Sequence, residues 1–283
     1  MRKLLFVGVL VLAMSGLALA QDFPKFEVFG GYSYLRSDLN SNNPFVSEYY
    51  GDYGAANGSG NLNGFEASFT YNLNKWLGIK ADFSGHFGKS NIDESISNTN
   101  EEYNSYYGST EPYYQYSDSY KAKGTADVRH YTYMFGPEFS YRGNSKVRPF
   151  AHALFGVAKV DIQKLDVDWT ELAQGTYANP VNDYSYYYIG NITGSFSKSS
   201  FAMALGGGLD INVNKKIAIR LAQIDYIPAF HAFKGNIIDS YNRYLGTSAS
   251  GEFDYGETRT RTVTLPAERY NNLRLSTGIV FKF

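Results

Sequence analysis

Apolar and polar residues alternate with a period of two in eight separate stretches of this chain, the spacing of a strand with two unlike faces. They cover about 25–36, 63–72, 76–87, 129–142, 147–159, 200–213, 216–227 and 269–283. In the second, Phe65, Ala67, Phe69 and Tyr71 oppose Gly64, Glu66, Ser68 and Thr70. In the third, Leu77, Ile79, Ala81 and Phe83 oppose Gly78, Lys80, Asp82 and Ser84. The fourth sets Tyr131, Tyr133, Phe135, Phe139 and Tyr141 against Thr132, Met134, Gly136, Glu138 and Ser140. The sixth sets Phe201, Met203, Leu205, Leu209 and Ile211 against Ala202, Ala204, Gly206, Gly208, Asp210 and Asn212.

Two stretches alternate less cleanly. In the fifth, an inward set of Arg148, His152 and Gly156 also takes in Phe150 and Leu154. The seventh changes phase between Arg220 and Asp225, and one extra residue near Ala222 or Gln223, a β-bulge, accounts for the change. The first stretch turns Glu27, Gly31 and Ser33 to one face. The last turns Arg274, Ser276, Gly278 and Lys282 to one face and Leu273, Leu275, Ile279, Phe281 and Phe283 to the other.

The connections alternate long and short. About 26 residues separate the first two stretches, and about 40 separate each later long pair, whereas short turns lie near residues 72–75, 143–146 and 214–215. A soluble sandwich has no reason to keep its long connections at one end. The pattern predicts an all-β fold: an eight-stranded antiparallel transmembrane up-and-down β-barrel with short periplasmic turns and long extracellular loops. A ten-stranded barrel remains open if a long connection holds another spanning hairpin. The phase has an energetic basis: slipping the third stretch by one residue would turn Lys80 and Asp82 to lipid, where a lysine at mid-bilayer costs roughly 2–4 kcal/mol.

Composition fits this reading. The chain has 26 Tyr, 20 Phe and 28 Gly against 8 Pro, a balance suited to strands and membrane-interface rings. Arg2 and Lys3, then an apolar run over residues 4–12 and Ala18-Leu19-Ala20, predict a secretory signal peptide over residues 1–20 and a barrel over 21–283. Removing Arg2 and Lys3 takes the formal charge from −1 to −3, which does not suggest a nucleic-acid partner. There is no cysteine, hence no disulfide framework or thiolate metal site.

Ser276, Gly278, Phe281 and Phe283 have the spacing of the C-terminal signal read by the barrel-insertion machinery of bacterial outer membranes. The run from Phe26 to Tyr34, FEVFGGYSY, resembles the first strand of small outer-membrane proteins of the OmpA/OmpX type. The resemblance implies a cell outer-membrane location, contact with outer-membrane lipid and lipopolysaccharide, and passage by periplasmic chaperones. The resemblance is to the barrel part of OmpA alone, so wall anchoring is not implied, and the long connections depart from minimal OmpX-like barrels.

The inward set carries both signs of charge: Glu66, Lys80, Asp82, Glu138, Arg148, Asp210, Arg220, Asp225 and Arg274. An eight-stranded barrel is just wide enough for its own side chains, so these groups are expected to pair as an internal plug. A polar conduit is the competing reading. Asp82, Ser84 and His86 follow one strand phase and are the candidates for a lipid-modifying enzyme, but neighbours at that spacing stand about 6.6 Å apart, too far for a hydrogen-bonded triad. Gly206, Gly207 and Gly208 lie in strand pattern, not before a helix, so a phosphate turn is not expected. Ser195-x-x-Lys198 lacks companion motifs. Asp166, Asp168 and Glu171 read as a solvated acidic patch rather than a Ca²⁺ loop. No cofactor and no enzymatic activity are expected. The tyrosine-rich connections (Tyr106, Tyr107, Tyr113, Tyr114 and Tyr116; Tyr184, Tyr186, Tyr187 and Tyr188) suggest strand extensions or interface rings, or a surface for an extracellular ligand. The expected function is structural or interactive: envelope integrity, adhesion or loop-mediated binding.

Overall fold

The computed structural model describes residues 23–37, 60–103, 112–143, 145–178, 181–231, 234–264 and 268–283. The signal-peptide expectation, Tyr106 and Tyr107 lie outside these. The ten strands are β1 (Phe26–Ser37), β2 (Gly60–Asn72), β3 (Leu77–Tyr103), β4 (Pro112–Ser140), β5 (Val147–Ala178), β6 (Val181–Asn212), β7 (Ile217–His231), β8 (Lys234–Leu245), β9 (Glu252–Thr264) and β10 (Glu268–Lys282).

Eight of them close a ring. β1 through β7 each pair antiparallel with the next, β7 pairs with β10, and β10 returns to β1. These are the eight stretches expected from alternation, so the fold is an eight-stranded antiparallel β-barrel. β8 and β9 lie outside the ring. β8 pairs with the far part of β6, and β9 pairs with β8. The last long connection therefore adds an external hairpin, not two further barrel strands.

The outer face is apolar along each ring strand. On β6 the exposed or half-exposed Phe201, Met203, Leu205, Leu209 and Ile211 run down to Val213. That is about 40 Å of strand, which a tilt of ~45° reduces to ~28 Å, close to a bilayer's hydrocarbon core. In water such a surface would be an aggregation hazard; lipid covers it without cost.

Short turns join β2 to β3, β4 to β5 and β6 to β7. In the first and third an asparagine organises the bend: the Asn74 and Asn214 side-chain oxygens each accept two backbone N–H bonds, at 2.7–2.8 Å. The β7 bulge is present. Gln223 faces Ser276 and Arg220 faces Gly278, leaving Leu221 and Ala222 together opposite Thr277. Both turn outward, and the Thr277 hydroxyl donates to the Arg220 carbonyl at 2.9 Å. The extra residue restores Gln223 and Asp225 to the inside.

At the opposite end the second and third long connections are not irregular loops. β3–β4 and β5–β6 run on as paired hairpins past the apolar belt. Together with β8 and β9 they form a raised lip. Its core is Tyr120, Val160, Leu165, Val167, Trp169, Ile192, Phe196, Ile237 and Tyr270. Trp169→Ala removes a buried ring at this core, a loss of about 3–5 kcal/mol in comparable sites. Limited proteolysis should then cut the lip of the variant while the ring strands stay protected.

Candidate functional site

The ring turns its charged residues into the lumen, and their positions follow from strand phase and closure register. Near the short turns, Glu27 gathers two cations. Arg142 Nε donates to Glu27 Oε1 at 3.0 Å, Arg148 Nη1 donates to the same oxygen at 2.9 Å, and Arg148 Nη2 bonds Glu27 Oε2. Asn72 also donates to Glu27, at 2.7 Å. Arg148 reaches Asp210 at 2.8 Å, and Asp210 accepts from Arg220 Nε at 2.9 Å. Arg142 bridges to Glu138 at 2.9 Å. Arg220 lies between two inward rings, 4.3 Å from the Phe29 centroid and 4.1 Å from that of Phe150. Thus the inward Phe150 that blurs the fifth stretch is a stacking partner.

A second cluster lies further in. Arg274 donates to Asp225 from Nε and Nη2, at 2.9 and 2.6 Å, and to Asp82 from Nη1 at 2.8 Å. It lies 3.4 Å from Glu66. Lys80 stands among Glu66, Asp82 and Glu138 at 3.6–3.9 Å. Gln223 ties the two clusters together: it accepts from Arg220 at 2.6 Å and donates to Glu66 and Asp225 at 2.8 and 2.7 Å. His152 Nε2 meets Asp225 at 2.8 Å. Gly206 leaves the room for this carboxylate, since a Cβ there would stand 2.0 Å from Asp225 Oδ1.

All nine inward charges named from the sequence are buried and belong to this network. Glu27, Arg142, Gln223 and His152 complete it. The cations Lys80, Arg142, Arg148, Arg220 and Arg274 nearly balance the carboxylates Glu27, Glu66, Asp82, Glu138, Asp210 and Asp225, and Lys282 adds a cation at the turn-side mouth. Such near-neutrality is what makes these charges tolerable in a dry interior.

Asp82, Ser84 and His86 do not form a linked set. Asp82 is held by Arg274, the Ser84 hydroxyl bonds Thr132 at 2.6 Å, and His86 Nε2 meets Ser33 at 2.8 Å. Ser33 continues to Ser276 at 2.9 Å, and Ser276 donates to Glu66 at 2.6 Å. Buried apolar residues share the lumen with these polar ones: Leu35, Leu62, Val128, Met134, Leu154, Ala158, Ala202, Ala204, Ile227 and Ala229 form one cluster, and on β4 the buried His130 and Thr132 stand between Val128 and Met134.

Of the expected C-terminal signal, Ser276 faces the lumen, Gly278 lies at the β1–β10 seam, and Phe281 is exposed on the outer face. The Phe283 backbone N–H donates to the Phe26 carbonyl at 2.9 Å. In the lip, Asp166 and Asp168 both accept from Asn191, at 2.7 and 2.9 Å. Among the described residues no group of three His, Cys, Asp or Glu is placed to hold a metal ion. Arg243 stacks between Tyr186 and Tyr255, 4.8 and 4.3 Å from their centroids, and pairs with Asp254. Glu257 accepts from Arg259, and that bond holds its carboxyl below the usual glutamate range.

No family model matches the chain, and no curated protein matches it. Among solved structures it is similar to the outer membrane protein OprG from Pseudomonas aeruginosa, at 12% identity over 93% of this chain and 98% of that one, TM-score 0.41. It is also similar to Ail, the attachment invasion locus protein of Yersinia pestis, at 14% identity over 92% and 99%, TM-score 0.30. A third is the outer membrane protease OmpT from Escherichia coli, at 9% identity over 94% and 99%, TM-score 0.28. At these values no residue role and no activity passes to this chain. The barrel stands on its own closed ladder of backbone bonds.

Proposed function

We propose that this protein is a plugged, non-enzymatic barrel of the bacterial outer membrane, of the small OmpA/OmpX type, whose work is done by its lip at the cell surface. It is exported by the signal peptide over residues 1–20, delivered by periplasmic chaperones and the insertion machinery, and held in outer-membrane lipid and lipopolysaccharide. The observation that carries the reading is the filled lumen. Cross-linked charges and a buried apolar cluster occupy it together. An ion moving through would have to break charge-assisted bonds and displace packed apolar side chains, each step costly. The same packing argues against chemistry by Asp82, Ser84 and His86, which are buried and held by other partners.

What remains accessible is the lip, with tyrosines, arginines and carboxylates on a sheet stiffened by its own core. Such a surface suits adhesion or ligand binding better than transport. Refolded protein in a planar bilayer should give no stable conductance. A large, reproducible conductance would overturn the plug and make the inward charges a selectivity lining.

A further inference from the structure

Two of the short turns repeat one another. Residues 72–80 read NLNKWLGIK and residues 212–220 read NVNKKIAIR. Their backbones match bond for bond. Val213 and Asn214 donate to the Ile217 carbonyl at 3.0 and 3.1 Å, as Leu73 and Asn74 donate to that of Leu77 at 2.9 and 3.2 Å. In each, the second asparagine accepts the two N–H bonds that close the bend. One position sets them apart in charge: Trp76 of the first turn is Lys216 in the second. Trp76 is exposed and stacks on Tyr141, with ring centroids 4.5 Å apart, the arrangement of an interfacial anchor. The second turn instead places two exposed lysines, Lys215 and Lys216, side by side.

A third lysine joins them. The Asn212 backbone N–H donates to the Lys146 carbonyl at 2.9 Å, and its side-chain amide donates to the Ser145 carbonyl at 2.6 Å. On the other flank the Lys282 backbone N–H donates to the Lys216 carbonyl at 2.8 Å, and Lys282 Nζ donates to the Asn214 carbonyl at 3.2 Å. The β4–β5 and β6–β7 turns are thus fixed against each other and against β10. The exposed Lys146, Lys215 and Lys216 share this part of the rim. No Asp or Glu occurs in residues 143–149 or 211–219 to answer their charge. Glu27 and Asp210 turn into the lumen, where Arg148 and Arg220 hold them.

Beside these lysines the barrel faces lipid. Val147, Ile211 and Ile219 pair across β5, β6 and β7 in one apolar row, and Val213 continues it toward the turn. Val147, Val213 and Ile219 are 48%, 60% and 45% exposed. Lys215 follows Val213 by two residues, within about 7 Å of chain. The headgroup zone beyond the hydrocarbon core is roughly 5–7 Å deep. Lysine stems can lie along apolar surface with the ammonium at that depth. An apolar row bordered by three ammonium groups matches one amphiphile, with acyl chains on the row and a phosphate at the lysines.

From these observations we infer that Lys146, Lys215 and Lys216 bind the headgroup phosphate of an anionic phospholipid in the leaflet at the turn end, with its acyl chains against Val147, Ile211, Val213 and Ile219. This rests on the outer-membrane reading above and names a lipid partner in the leaflet opposite the lip. An acidic peptide or a free anion would use the lysines alone, whereas a phospholipid uses the apolar row as well.

The test is native mass spectrometry of the protein refolded in an uncharged detergent with equal amounts of phosphatidylglycerol and phosphatidylcholine of identical acyl chains. Each lysine near a membrane surface favours an anionic lipid by about fivefold. The unaltered chain should therefore retain phosphatidylglycerol over phosphatidylcholine by at least tenfold. The triple variant K146Q/K215Q/K216Q should lose that preference, and Lys75→Gln, in the matching turn, should keep it. All three substituted lysines are exposed, and circular dichroism checks that each variant has refolded. Excess inorganic phosphate or an acidic peptide should not displace the lipid, because neither covers the apolar row. No preference in the unaltered chain, a preference kept by the triple variant, an equal loss in Lys75→Gln, or displacement by phosphate or peptide would each overturn the proposal. Cell fractionation tests the outer-membrane reading separately: recovery of the chain in the inner membrane would sink that reading and leave the lipid site standing.

Discussion

Arg274→Met should leave the barrel close to or below its folding threshold in lipid, with the midpoint of denaturant unfolding sharply lowered and the yield of refolded protein strongly reduced. Arg274 is fully buried and serves three carboxylates on three other strands: Asp82 on β3, Asp225 on β7 and Glu66 on β2. Removing one partner of a buried pair typically costs about 3–5 kcal/mol, because the remaining charge has nowhere to go. Here Asp225 loses two bonds and Asp82 its closest cation. Lys80 stays near Asp82 and Glu66 but at 3.6–3.7 Å, too long for a full replacement. Arg274→Lys should recover only part of the loss, since one ammonium cannot reproduce the guanidinium fork across Asp82 and Asp225. The double variant R274M/D225N should be more stable than Arg274→Met alone, because it removes the carboxylate that Arg274 contacts most. Circular dichroism of refolded protein through a urea titration measures all four chains. An unfolding midpoint for Arg274→Met equal to that of the unaltered chain would mean that the lumen charges carry no structural weight.

How much of this fold is legible in the sequence depends on the environment of each strand. In the ring each strand has lipid on one face and a packed lumen on the other. Both environments penalise a wrong residue, so the period-two pattern shows in all eight strands, blurred only by the inward Phe150 and Leu154 of β5 and by the bulge of β7. Above the belt one face packs on the lip core and the other meets water instead of lipid, so alternation survives in shorter runs such as Tyr120, Ala122, Ala126 and Val128 on β4 and Leu165, Val167 and Trp169 on β5. Without a lipid-facing apolar row, the extensions of β3, β4, β5 and β6, and β8, read as loops. The tyrosine run at residues 184–188 and the stretch at 258–265 are partial signals of strand there.

The charged residues of the lumen are legible by the same phase, but their partners are not. Glu27 and Arg148 lie 121 positions apart and meet only because the ring closes in one register. Glu27 stands in the inward phase of the first stretch without a neighbour in sequence to mark its partner. Arg142 sits just past the last ladder residue of β4. Gln223, which links the two clusters, is obscured by the bulge at Leu221 and Ala222, where counting by twos fails.

Gly278→Val should abolish closure of the barrel even in refolding without any cellular machinery. Gly278 faces Gly31 across the β1–β10 seam. A Cβ on Gly278 would lie 2.4 Å from the Gly30 carbonyl oxygen and 2.6 Å from the Gly31 Cα, and a Cβ on Gly31 would lie 2.0 Å from the Thr277 oxygen. These are backbone atoms on the strands that must hydrogen-bond across the seam, so no rotamer change relieves the contact. A branched side chain forces the ladder apart where the first and last strands meet, and an unclosed barrel exposes two strand edges to lipid. Ile279→Val, one residue away on the outer face, should refold normally. Phe281→Ala should separate two roles of the same strand. Phe281 is exposed on the lipid face, so its loss should leave refolding into vesicles nearly intact while lowering assembly in cells, if the tail is read by an insertion machinery. Ser276 and Gly278 have reasons of their own within the fold: one bonds Glu66, and the other permits the seam. If Gly278→Val refolds in vesicles with normal stability and fails only in cells, the seam argument is wrong and the glycine belongs to the recognition signal instead.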